Sequence, residues 1–314
     1  MPAHSHTKPK VLVLVGPTCS GKTEVGLALA EALHGEIISA DSRQVYRYMD
    51  IGTAKPALEQ RQRVKHYFVD ELLPDHDFNA GEFGARGREI IEDIARRGKA
   101  PMVVGGSGLY IRSLVDGFFE GPGADEEFRE AMERHVRSGR LAYLLDELRR
   151  VDAETAATID PTKPRRIVRA LEVYHLTGQP ISRLHREHRI EIHFTPVLFG
   201  LKWDRQELYM RINARCDQMI AAGLLSEVES LEAKAYTDRF NALNTVGYAE
   251  AFAYRRGEIS YEEFVRLFKR NTRRYAKRQM TWFRADKRIQ WVEMGEERTL
   301  RSVVNEIVST LMLV

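Results

Sequence analysis

The chain predicts an α/β fold: a P-loop NTPase-like core with a parallel sheet, an inserted all-helical domain and a helical C-terminal part. Three observations carry that expectation. The apolar run Val11-Leu12-Val13-Leu14-Val15 leads directly into Gly16-Pro17-Thr18-Cys19-Ser20-Gly21-Lys22-Thr23, a G-x-x-x-x-G-K-T phosphate-binding loop, and good helix formers follow it. Further short apolar runs each empty into a polar or Gly-rich turn, as strands of an open parallel sheet do at the edge where ligands bind. From roughly Gly121 to His193 the composition turns charged, Leu-rich and helical, with no clear strand. The expected organisation is a first core part over 1–120, a helical insertion over 121–193 and a second core part over 194–314 carrying a basic helix.

The glycines of the loop let the backbone wrap a polyphosphate closely, with N–H groups and a helix N-terminus turned toward the anion. Lys22 adds a point charge for the terminal phosphate, and the Thr23 hydroxyl is placed to ligate Mg²⁺. A helix from about Thr23 to Leu33 follows, closed by His34-Gly35 with Gly35 as the expected left-handed residue. Glu36 to Ala40 reads as a short buried strand that delivers Asp41-Ser42-Arg43-Gln44 to the ligand edge. Asp41 is thereby placed near the phosphates, with a helix N-cap at Asp41 or Ser42 as the plainer alternative.

Val45 to Lys55 reads as a loop, His66-Tyr67-Phe68-Val69-Asp70 as a third strand, and Asn79 with Glu82 as the capped start of a helix running to about Arg97. After Gly98-Lys99-Ala100-Pro101, the strand Met102-Val103-Val104 empties into Gly105-Gly106-Ser107-Gly108-Leu109-Tyr110. P-loop nucleotide hydrolases commonly hold Mg²⁺ with an Asp at this place. A Gly-rich turn with a hydroxyl argues against a motor or GTPase.

Gly121-Pro122-Gly123 marks the entrance to the insertion, and a helix from about Lys163 to Leu176 is closed by Thr177-Gly178-Gln179-Pro180. Arg165, Arg166 and Arg169 open that helix, and a solvated basic face is the default reading. His185, His188 and His193 are spaced as surface histidines, without the third ligand of a zinc site. Pro196-Val197-Leu198-Phe199-Gly200-Leu201 returns to a buried strand, after which the chain reads mostly helical from Arg205. In the long helix from about Tyr261 to Arg284, Arg266, Arg270, Arg273, Lys277 and Arg284 recur at three-, four- or seven-residue intervals or their multiples, while Phe268, Tyr275 and Trp282 recur every seven. The two registers predict aromatics toward a core or a base and cations toward phosphates.

Charge sharpens this. The net charge is only +3, yet Phe264 to Arg288 holds ten Lys/Arg against one acid, Asp286, a local +9 that leaves the remainder near −6. One element carries the positive field, which points to a polyanionic partner such as nucleic acid. The polar, basic stretch Met1 to Lys10 and the short apolar run after it fit neither a membrane span nor a signal peptide. Two cysteines, Cys19 and Cys216, make neither a disulfide framework nor a zinc module, so a reduced, cytoplasmic setting is expected and no protein partner is implied.

These residues resemble one family, the bacterial tRNA dimethylallyltransferases, also called tRNA isopentenyltransferases. The resemblance rests on the phosphate loop, on Ser39-Ala40-Asp41-Ser42-Arg43-Gln44-Val45-Tyr46, on Asp50-Ile51-Gly52-Thr53-Ala54-Lys55-Pro56 and on Gly105 to Tyr110. It continues in Arg169-Ala170-Leu171-Glu172-Val173-Tyr174 and Thr272-Arg273-Arg274-Tyr275-Ala276-Lys277-Arg278-Gln279. It implies that dimethylallyl diphosphate binds where relatives of the fold bind nucleotide, and that its dimethylallyl group goes to the exocyclic 6-amino group of the adenosine just 3′ of a tRNA anticodon. By resemblance Asp41 is the base that takes the amine proton. Thr18, the loop N–H groups, Lys22 and Mg²⁺ on Thr23 would stabilise the leaving diphosphate, with Arg215 a further contact. The implied tRNA contacts are Asp41, Ser42, Arg43, Gln44, Ser107, Arg165, Arg166, Arg169, Thr245, Gly247, Tyr248, Arg273, Arg274, Lys277 and Arg278, with the insertion gripping the anticodon stem-loop. Ser107 stands where the family usually has Thr, and Ala249 where a basic residue is common.

Three other readings account for part of the same sequence. An ATP-dependent small-molecule kinase is equally suited by the phosphate loop and an Asp after the second strand, but leaves the insertion and the basic helix unexplained. A non-catalytic RNA-binding switch leaves Asp41 unexplained, and a free-adenylate prenyltransferase has no need of so basic a helix.

Overall fold

The computed structural model describes residues 8–117, 121–187 and 190–313. They fall into two compact units, one within Met1–Val115 and Ile192–Val314, the other within Asp116–Glu191. The first boundary expected from sequence, after residue 120, abuts residues 118–120, which lie outside the described set. So do residues 1–7 of the basic N-terminal stretch and His188.

The first unit opens with β1 (Lys10–Val15), α1 (Lys22–Ala32), β2 (Gly35–Ala40), α2 (Leu58–Arg63), β3 (His66–Tyr67), α3 (Ala80–Arg96), β4 (Ala100–Gly105) and α4 (Gly108–Asp116). The second unit holds α5 (Glu126–Arg137), α6 (Leu141–Val151), α7 (Ala153–Thr158), α8 (Pro164–Thr177) and α9 (Ile181–Glu187). The chain then completes the first unit with β5 (Thr195–Lys202), α10 (Arg205–Ala221), α11 (Leu224–Glu232), α12 (Tyr248–Arg255), α13 (Tyr261–Ala285), β6 (Gln290–Glu293) and α14 (Leu300–Leu313).

The six strands pair in parallel in the order β3-β2-β4-β1-β5-β6. Val13 of the central β1 lies opposite Val103 of β4 and Leu198 of β5. Strands covered on both faces read as unbroken apolar runs, which is why β1, β4 and β5 are legible as such. On one face Leu12 and Leu14 pack with Leu29 of α1 and with Val303 and Ile307 of α14. This parallel order puts the ends of β1, β2 and β4 side by side, so Gly16, Asp41 and Gly106 meet at one edge.

Three expectations are corrected. The third strand stops after Tyr67, because Phe68 and Asp70 turn into left-handed backbone at φ 60° and 58°. His34, at φ 51°, takes the left-handed position after α1. Gly35 is instead the first residue of β2, where an added Cβ would stand 2.7 Å from the Ala100 carbonyl oxygen of the paired strand. The region after Arg205 also contains β6, a sixth strand at the sheet edge.

The second unit packs Leu144, Leu148, Ile167, Ala170 and Leu171 into a small core of its own. Pro164 opens α8 and Gly178, at φ 67°, closes it. Glu172 is fully buried in that unit; it accepts hydrogen bonds from the Asp125 amide (3.0 Å), Arg129 (2.7 Å) and Arg169 (2.6 Å).

Candidate active site

The phosphate loop leaves β1 and enters α1 through Gly21, the helix N-cap, at φ 90°. Left-handed backbone of this kind favours glycine. The first-turn amides of a helix have no intrahelical acceptor, so the amides of Gly21, Lys22 and Thr23 are open to an anion. They face a cavity of about 490 Å³ lined by Thr18 to Thr23, Asp41, Gln44, Arg215 and Tyr275, among others. Lys22 curls back to donate to the Pro17 carbonyl at 2.6 Å. Desolvation lowers its ammonium to about 8, opposed mainly by the Asp41 carboxylate. Burial raises the Cys19 thiol above its usual range, opposed by Arg215, Lys22 and Arg211.

Asp41 follows β2 and lines the same cavity. One carboxylate oxygen accepts the Arg43 amide at 2.9 Å, an Asx turn rather than a helix N-cap. The other has no protein partner among the described residues. Ser107 links the two neighbouring strand ends: its amide donates to the Ala40 carbonyl and its hydroxyl accepts the Ser42 amide, both at 3.0 Å. Gln44 donates to the carbonyls of Thr53 and Ala54 at 3.3 Å and accepts the Ser39 hydroxyl at 3.0 Å. It fastens the 50–56 loop over the cavity. Lys55 completes that loop by pairing with Asp50 and Asp70.

Arg215 lies on α10, half-buried on the cavity wall and without a hydrogen-bond or ion-pair partner among the described residues. Arg43 is likewise half-buried, and its side chain is unpaired among them. On α13, Arg274, Lys277 and Arg278 are exposed; Arg278 lies 5.7 Å from the Tyr275 ring, and the other two have no partner among the described residues. Arg273 differs: half-buried, it donates to the Asn213 side chain at 2.5 Å and lies 6.0 Å from the Tyr209 ring, both on α10. Thr245 is half-buried and Gly247, at φ 94°, caps α12. Tyr248 is fully buried, and its hydroxyl donates to Glu227 at 2.6 Å. Glu227 also accepts the amides of Asp50, Ile51 and Gly52, so Tyr248 serves the cavity loop and its side chain has no surface to offer a partner. In the helical unit Arg165 and Arg166 are exposed, whereas Arg169 is tied to Glu172 and the Pro122 carbonyl.

Some residues that shape the site escape a reading by sequence. Gln279 of α13 is 7% exposed; it accepts the Thr18 amide at 2.8 Å and donates to the Gly106 carbonyl at 3.0 Å. An added Cβ on Gly106 would stand 2.4 Å from the Gln279 amide nitrogen, and one on Gly108 would stand 2.2 Å from Trp282. Two of the turn's glycines therefore admit α13. Arg211, one turn before Arg215 on the cavity side of α10, is another such residue, and the four-residue spacing from Arg215 is the signal that could have found it. For a metal, no group of three or more His, Cys, Asp or Glu among the described residues forms a cage. The half-buried Thr23 hydroxyl on the cavity wall suits Mg²⁺ held largely by substrate phosphate and water.

The IPP transferase family model matches residues 44–286. A tRNA dimethylallyltransferase 2 of Geotalea uraniireducens is 46% identical over 302 residues, covering 96% of this chain and 97% of that protein. The crystal structure of a full-length tRNA isopentenylpyrophosphate transferase from Bacillus halodurans superposes with a TM-score of 0.71 at 38% identity, over 98% of each chain. A eukaryotic dimethylallyltransferase acting on tRNA superposes at 0.80 with 25% identity, over 97% of this chain and 79% of that one. With its motifs, its sheet order and these likenesses agreeing, the chain belongs to the IPP transferase family.

Proposed function

We propose that the protein transfers the dimethylallyl group of dimethylallyl diphosphate to the exocyclic 6-amino group of the adenosine 3′-adjacent to the anticodon of tRNA, releasing diphosphate. The observation that carries this reading is that one cavity holds both a phosphate loop and a carboxylate, Asp41, with an unengaged oxygen. A small-molecule kinase could use both features, and what favours prenyl transfer to tRNA over it is the set of exposed cations Arg274, Lys277 and Arg278 on α13. The carboxylate suits an acceptor amine, whose lone pair is delocalised into the purine and which must lose its proton as the new C–N bond forms.

In this reading the C–O bond between the allylic carbon and the diphosphate breaks, and the electron pair leaves with the diphosphate. The open amides of Gly21, Lys22 and Thr23, the Lys22 ammonium, the Thr18 hydroxyl and Arg215 stabilise that developing charge. Mg²⁺ on Thr23, when bound, offsets further phosphate charge. Asp41 takes the amine proton as the new C–N bond forms. The target base must leave its stack, an extrusion costing roughly a few kcal/mol. The exposed cations Arg274, Lys277 and Arg278 on α13, with Arg165 and Arg166 on α8, offset that cost through RNA phosphates. The same reading places the protein in the cytoplasm with its tRNA.

Incubation with labelled dimethylallyl diphosphate tests it. Label is expected in unmodified tRNA and not in AMP, and ATP is expected to be hydrolysed far more slowly than prenyl is transferred. Labelled AMP would favour the free-adenylate enzyme; ATP turnover at a comparable rate would favour the kinase.

A further inference from the structure

Two carbonyl groups of the phosphate loop, those of Cys19 and Ser20, are held by side chains that neither the motif nor the proposed chemistry uses. Trp203, just past β5, donates its indole N–H to the Ser20 carbonyl at 3.0 Å. Arg211 of α10 donates its Nε–H to the Cys19 carbonyl at 3.0 Å, and its guanidinium lies 4.2 Å from the Trp203 ring centre. The two side chains thus form one stacked unit behind consecutive peptides of the loop. In a trans peptide the carbonyl and the following N–H point in opposite directions. Fixing the Ser20 carbonyl toward Trp203 therefore fixes the Gly21 N–H away from it.

The Ser20–Gly21 peptide is the one that needs such a hold. Gly21 sits at φ 90°, and a glycine tolerates both orientations of the peptide before it. A flip would turn a carbonyl oxygen toward a bound diphosphate where a donor now stands. The Ser20 side chain gives no help: its hydroxyl is buried and has no partner among the described residues. The preceding peptide is held twice, since the Ser20 amide donates to the Pro17 carbonyl at 3.3 Å while Arg211 takes the Cys19 carbonyl.

We propose that Trp203, stacked on Arg211, is a positioning residue that keeps the Ser20–Gly21 peptide with its N–H toward the diphosphate. This rests on the reading that the loop binds dimethylallyl diphosphate. Arg211 itself lines the cavity, so its removal mixes two effects; Trp203 separates them. Trp203→Phe keeps a ring for Arg211 to stack on and removes only the donor. Trp203→His keeps a donor on a planar ring.

The test measures dimethylallyl diphosphate affinity by calorimetry, tRNA affinity by filter binding and Tm for the full-length wild type and both variants. The expected result is a loss of about tenfold in diphosphate affinity for Trp203→Phe, the scale of one charge-assisted hydrogen bond. Trp203→His recovers part of that loss, and tRNA affinity and Tm stay near wild type. Equal diphosphate affinity in wild type and Trp203→Phe overturns the proposal. So does a parallel fall of both affinities with Tm that histidine does not relieve, since that marks a general packing role. A wild type that binds no dimethylallyl diphosphate overturns the functional reading instead.

Discussion

Asp41 has one oxygen committed to the Arg43 amide and one open to the cavity, so its geometry fits both a turn and a base. Replacing it by Asn keeps the turn bond and removes the ability to accept a proton. Asp41→Asn is expected to lower kcat by roughly 10²- to 10⁴-fold with tRNA affinity close to wild type; retention of more than about a tenth of kcat removes Asp41 from that role. Lys22 gives a second, pH-resolved prediction. Its free-protein value of about 8 means that the site is already protonated well below pH 8 and mostly deprotonated above it. Because the bound diphosphate holds the proton on Lys22, binding above pH 8 must take one up, and affinity falls as pH rises. Calorimetry in buffers of different ionisation enthalpy is expected to show uptake rising from near zero at pH 7 toward one proton at pH 9, and a flat profile contradicts it. Asp41 and Lys22 were legible in the sequence because a motif and a strand end fix their places. Gln279 was not, since a glutamine in a basic helix reads as surface until Gly106 is seen to leave room for it.

At the scale of elements, α13 carries two kinds of cation that its periodicity does not separate. Arg273 is spent on Asn213 and Tyr209 of α10, whereas Lys277 and Arg278 are exposed. Lys277→Ala and Arg278→Ala are each expected to reduce the magnitude of the salt slope of tRNA binding by about one or slightly less, leaving diphosphate affinity unchanged. Arg273→Ala is expected to lower Tm with a smaller change in slope; unchanged slopes for Lys277 and Arg278 would reassign the helix. In the helical unit, burial alone would raise the Glu172 carboxyl, but Arg129 and Arg169 outweigh it and hold it below its ordinary 4.5. Its contribution to stability is therefore complete above about pH 4.5 and is lost as pH falls through the lower folded value. Glu172→Ala is expected to cost about 2 kcal/mol, less than a fully buried pair because both arginines are over a third exposed, and urea unfolding at pH 7 measures it. The strand β6 escaped prediction for a plain reason: of Gln290 to Glu293 only Val292 is buried, so this edge strand has no apolar run to announce it.

For the molecule as a whole, the order β3-β2-β4-β1-β5-β6 turns separated motifs into one chemical device. The phosphate loop, Asp41 and the Gly105–Gly106 turn are far apart in sequence and adjacent at the strand ends, while Gln279 and Arg215 come from helices that follow the insertion. The fold class and the phosphate site were readable because parallel strands advertise themselves as apolar runs. The long-range hydrogen bonds that close the cavity were not, because no local pattern encodes which distant helix supplies a partner. In the proposed reaction this cavity couples diphosphate departure to attack by a tRNA amine. Simultaneous measurement of diphosphate released and of prenylated nucleoside recovered from digested tRNA tests it most directly. One diphosphate is expected per N6-dimethylallyl adenosine, located next to the anticodon, and none without tRNA; diphosphate release that proceeds without tRNA, or prenyl found on another nucleoside, would rule this coupling out.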